Sequence, residues 1–128
     1  MIHSFNFKEI IFLLNKSKII SRVEVKTFDE IKGKSIYKIR CNLVPSKYKF
    51  EIRFVCIENQ ILYSYQLFTK TPIVRWDNAP HYPKIKTYPH HFHTSDGNVI
   101  ESELSGNAVE NLDKVLSHVK TIILDHGY

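Results

Sequence analysis

The sequence predicts an α+β fold. A mostly antiparallel meander of five or six strands lies between a short N-terminal helix and a long C-terminal helix packed on one face. Three observations predict it. Four stretches between Arg22 and Leu67 alternate polar and apolar residues with period two. Short turns join these stretches, which suits antiparallel hairpins. Near the C-terminus, Val109, Leu112, Val115, Leu116, Val119, Ile122 and Ile123 fall on one helical stripe.

Taken in order, the first helix is expected from Phe7 to about Asn15. Asn6 can cap it, Glu9 stands at the capping-box position, and Phe5 and Ile10 occupy the two staple positions. Val23, Val25 and Thr27 then alternate with Arg22, Glu24 and Lys26, and the chain breaks around Gly33. Tyr37, Ile39, Cys41 and Leu43 alternate with Lys38, Arg40 and Asn42 up to the Pro45-Ser46 turn. Tyr48, Phe50, Ile52, Phe54 and Cys56 alternate with Lys49, Glu51 and Arg53 up to a second turn at Glu58-Asn59-Gln60. Ile61, Tyr63, Tyr65 and Leu67 follow, then a shorter strand from Ile73 to Trp76. One sheet face should be apolar and the other should carry Lys38, Arg40, Lys49 and Arg53. Asn107, with Glu110 three residues later, starts the last helix.

With 128 residues the chain is sized for one domain, 1–128, with a core that needs no disulfide or metal. Its longest apolar run, Ile10 to Leu14, is too short to span a bilayer. No signal-peptide pattern stands at the N-terminus, so a cytoplasmic protein is expected. Cys41 and Cys56 fall on apolar strand positions and read as buried thiols in a reducing compartment. The net charge is +5, and between Leu14 and Arg53 eleven lysines and arginines face four acids. Such a surface attracts a phosphate backbone or an acidic protein, although a solvated face has the same composition.

The segment from Arg75 to His93, RWDNAPHYPKIKTYPHHFH, concentrates the chemistry. It holds four of the seven histidines and three of the five prolines, so titratable side chains stand on a stiffened segment. Three readings compete. Two histidines can act as acid and base in phosphodiester cleavage, with Arg75 binding the anion, Asp77 orienting a ring and Asn78 donating to phosphate. His91 and His93, on one face of an extended segment, can bind a metal with His81 or Asp77. Or Asp77 and Asn78 make turn bonds and the histidines pair with backbone. Trp76 reads as a core anchor, and His3, His118 and His126 as surface residues.

The strings Arg75-Trp76-Asp77-Asn78-Ala79-Pro80-His81, Pro89-His90-His91-x-His93 and Val99-Ile100-Glu101-Ser102 resemble the TumE family of bacterial and archaeal toxins. The Tyr63-Ser64-Tyr65 strand and the closing amphipathic helix fit its layout, and the likeness runs in order from about residue 35 to 120. The resemblance implies the toxin of a type II toxin–antitoxin pair, with a helix-turn-helix antitoxin as partner. Family members often carry a glutamate near the position of Arg53, a role that Glu51, on the same strand face, is the candidate to take. The expectation is therefore a toxin that cleaves RNA without metal or cofactor. Its candidate catalytic residues are Arg75, Asp77, Asn78, His81, His90, His91 and His93. Lys38, Arg40, Lys49 and Arg53 are the candidate RNA- or partner-binding residues. The alternatives are a non-catalytic nucleic-acid- or protein-binding domain with a structural histidine segment, or a metal-dependent hydrolase. A homo-oligomer is compatible with the sequence.

Overall fold

The computed structural model describes residues 6–125. Helix α1 spans Phe7–Lys16, and Asn6 caps it by accepting the Glu9 N–H at 3.1 Å. The expected staple through Phe5, and His3 and His126, lie outside the described residues. The strands are β1 (Ile20–Ile31), β2 (Lys34–Leu43), β3 (Lys49–Ile57), β4 (Gln60–Phe68), β5 (Pro72–Asp77), β6 (His91–His93) and β7 (Val99–Glu101). Helix α2 closes the chain at Ala108–Asp125, with the Asn107 side chain accepting the Glu110 N–H at 3.0 Å.

All seven strands form one antiparallel sheet in sequence order, so the meander is as expected but longer. The additional strands come from the histidine-rich segment and the stretch after it. Two-residue turns make the tight hairpins. Lys32-Gly33 joins β1 to β2 with Gly33 at φ +81°, and Glu58-Asn59 joins β3 to β4 with Glu58 at φ +53°. Tyr88-Pro89 is cis, as is Val44-Pro45.

Period-two alternation divides the sheet into two unlike faces. Phe50, Ile52, Phe54, Tyr65, Leu67 and Trp76 face the core, where Ile10 and Leu14 of α1 and Leu112, Val115, Val119 and Ile123 of α2 cover them. Trp76 is a core residue, in ring contact with Phe92 at 4.9 Å and with His118 at 5.3 Å. His118 is thus half-buried against the end of the sheet rather than a free surface residue. Cys41 and Cys56 are free buried thiols, and burial pushes Cys41 up to about 12 and raises Cys56. Among the described residues no helix is long and apolar enough to cross a membrane.

The opposite face is polar, and the strand register orders it into two transverse rows. One runs Arg40, Glu51, Gln66, Arg75, His93 from β2 to β6. The next runs Lys38, Arg53, Ser64, Asp77, His91, Glu101 from β2 to β7. The basic strands and the histidine-rich segment, remote in sequence, therefore share one face.

Candidate functional site

The centre of the site is two directly opposed residue pairs on adjacent strands. Arg75 stands opposite His93, and Asp77 opposite His91. Side chains facing one another across an antiparallel pair stand about 4.5–5.5 Å apart at Cβ, close enough for direct contact. Trp76 and Phe92, the residues between, point to the core, so all four polar residues must point the other way.

Asp77 is the hub. It is buried, and each carboxylate oxygen has two partners. Oδ1 accepts the Ala79 N–H at 3.0 Å and faces His91 Nε2 at 2.9 Å. Oδ2 accepts Arg75 Nε–H at 2.9 Å and faces His93 Nε2 at 3.3 Å. His91 is only 2% exposed, and its Nδ1 donates to the Pro89 carbonyl at 3.0 Å. A carbonyl oxygen only accepts, so that bond fixes the proton of a neutral ring on Nδ1. Tyr82 covers the pair from outside, with its ring 4.7 Å from His91 and 6.0 Å from His93. His93 is half-buried. Burial lowers its pKa and the Asp77 carboxylate pulls it back up. A cleft of about 480 Å³ opens over Arg75, Asp77, His91 and His93, with His81 and Tyr82 also in its wall.

The other candidates are placed differently. His81 is exposed and borders both this cleft and a neighbouring one of about 340 Å³ that contains Arg53, Ser64 and Arg75. His90 points away from the cluster. It stacks on Tyr63 at 5.7 Å and its Nδ1 bonds the Tyr63 hydroxyl at 2.6 Å. Burial lowers the His90 pKa and raises that of Tyr63. Asn78 is held by β4. Its Oδ1 accepts the Tyr63 N–H and its Nδ2 donates to the Ile61 carbonyl, both at 2.8 Å. That side chain substitutes for a further rung of the β4–β5 ladder.

The four basic residues of the free face are not equivalent. Arg40 and Lys38 both approach Glu51, at 2.6 and 4.0 Å. Lys49 donates to the Ser46 carbonyl. The Arg53 side chain is exposed and, among the described residues, makes no hydrogen bond or ion pair. Glu51 is on the expected strand face, but Arg40 and Lys38 engage it and Gln66 separates it from Arg75 along the row. Sequence reasoning passed over Tyr82, Ser64 and Gln66. Tyr82 lay within the segment already singled out, whereas Ser64 and Gln66 needed the pairing register.

A sheet shielded by helices on one side and left charged and open on the other defines a small α+β protein with one free polar face. The family model described as Toxin TumE matches residues 10–123, and the chain belongs to that toxin family. Membership makes it a toxin component with an antitoxin as its partner. No curated protein and no solved structure matches the chain.

Proposed function

We propose that this toxin arrests growth by cleaving RNA at the Arg75–Asp77–His91–His93 cluster, by acid–base chemistry that needs no metal. The observation that carries the reading is the register. It puts a guanidinium, a buried carboxylate and two imidazoles on the same open face as Lys38, Arg40, Lys49 and Arg53. His93 is the base. Burial favours its neutral form, and the cleft gives a ribose access to it. It takes the proton of a 2′-hydroxyl as that oxygen attacks phosphorus. The bond to the 5′-oxygen breaks, and His81, exposed at the cleft wall, returns a proton to the leaving oxygen. The products are a cyclic phosphate and a 5′-hydroxyl.

Arg75 binds the phosphorane oxygens. Its Nε is engaged by Asp77, which leaves both terminal nitrogens for the anion. Asp77 orients the rings, His91 braces it, and Asn78 and His90 are positioning residues. The partner we assign is a helix-turn-helix antitoxin, meeting the toxin in the cytoplasm.

Purified protein incubated with RNA, with and without chelator, tests the reading. Cleavage should persist in chelator and fall by about a hundredfold in Arg75→Ala, with Arg75→Lys restoring it only in part. RNA bound but left intact by the folded parent protein refutes catalysis and leaves a binding protein. Cleavage abolished by chelator refutes the metal-free mechanism.

A further inference from the structure

We infer that Asp77, His91 and His93 form a binding site for one divalent transition ion of the zinc class. The inference rests on ligand geometry, and because the ion would take the side chains assigned to metal-free cleavage, including the His93 ring, bound ion and acid–base cleavage would exclude each other. Three donor atoms, one from each residue, lie within 4.8 Å of one another. Both histidines turn the same nitrogen, Nε2, toward one carboxylate, at 2.9 and 3.3 Å. Imidazole and carboxylate donors about 2.0–2.2 Å from a shared ion stand roughly 3 Å apart, so these separations are those of neighbouring ligands. Two of the three residues are buried and the third is half-buried, so packing restrains the ligands.

The surroundings orient the ligands. Nδ1 of His91 donates a hydrogen bond to the Pro89 carbonyl, which aims Nε2 at Asp77 Oδ1. With Nδ1 carrying a proton, either a second ring proton or a metal ion must stand between Nε2 and that oxygen. A backbone carbonyl on the far nitrogen is the usual outer support of a metal-binding histidine. Ala79 N–H and Arg75 Nε–H hold the carboxylate from the other side. The Arg75 charge beside the carboxylate tempers affinity for the ion. With three protein ligands, a further position opens into the cleft, where water or a phosphate oxygen fits. Two imidazoles and one carboxylate suit zinc, cobalt or nickel and do not suit magnesium or calcium, which require mostly oxygen donors.

Calorimetry of tag-free, chelator-treated, full-length protein with zinc, cobalt or magnesium chloride decides the matter. Zinc and cobalt should bind one to one, and bound cobalt should show visible bands of four- or five-coordination. Magnesium should give no binding at the same concentrations. His93→Ala, at a half-buried position that tolerates truncation, should remain folded by circular dichroism. It should lose zinc affinity by more than the ~100-fold upper range for outer-support partners. His81→Ala should keep the same stoichiometry. Absence of one-to-one zinc binding overturns the site. So does unchanged zinc binding in folded His93→Ala, because the ion would then be held elsewhere.

Discussion

Replacing Asn78 with alanine tests whether that side chain holds the sheet rather than the substrate. Its amide makes two bonds of 2.8 Å to the backbone of β4, at Tyr63 N and Ile61 O, and the residue is 9% exposed. Each lost bond removes about 1 kcal/mol, and the stranded Tyr63 N–H costs about 1–2 kcal/mol more, because β4 buries it. Water can reach the half-buried Ile61 carbonyl, so the total should be about 2–4 kcal/mol. For a chain of 128 residues, an unfolding entropy of about 2.1 cal/mol/K per residue gives about 0.27 kcal/mol/K, hence a melting point lower by roughly 7–15 °C. Thermal unfolding followed by circular dichroism measures this directly. Asn78→Asp, which keeps the acceptor but sets an oxygen against the Ile61 carbonyl, should also melt below the parent. A melting point for Asn78→Ala within about 2 °C of the parent would refute the ladder argument and return Asn78 to the candidates for direct substrate contact.

Further expectations follow from single residues. Arg53→Glu should weaken RNA binding and reduce the slope of log affinity against log salt by about one, because Arg53 is exposed and has no ion-pair partner among the described residues; an unchanged slope in a filter-binding titration would remove it from the track. Tyr65→Phe should leave stability unchanged or raise it by up to about 1 kcal/mol, because the Tyr65 hydroxyl is buried without a hydrogen-bond partner among the described residues; a drop in the urea midpoint would reveal a partner. Cys41 and Cys56 should react with a thiol reagent at pH 8 only after unfolding, since burial raises both thiol pKa values; fast labelling of the native protein would contradict it.

The long elements were legible because their signals are local. The caps at Asn6 and Asn107 and the period-two runs of β2, β3 and β4 need no distant partner to be read. The His91-x-His93 alternation likewise told that those two rings share a face. Strands β6 and β7 were not legible, since three residues are too short to carry a period. The stretch after Trp76 therefore read as one stiffened segment, when its far end is a strand paired with β5. How Asn78 and His90 are held was hidden as well. Their partners, at Ile61 and Tyr63 on β4, lie far back in the chain and nothing local points to them.

The register ties the chemistry to the core. Trp76 and Phe92 pair across β5 and β6 and pack on each other and on His118 of α2. A slip of one residue would carry Trp76 or Phe92 onto the open face and bring Asp77 or His91 under the helix. Burying that carboxylate without its four partners would cost several kcal/mol, and exposing the indole would forfeit about 2–3 kcal/mol more. The aromatic pair thus selects the one register in which Arg75 meets His93 and Asp77 meets His91. Tyr82 then seals the pair from outside, and Asn78 locks the end of β5 to β4. No member of the cluster is held by the loop alone. Each is placed by a strand, and the strands by the hydrophobic face beneath them, so the rings stay aimed at Asp77 whether a proton or a metal ion occupies the space between.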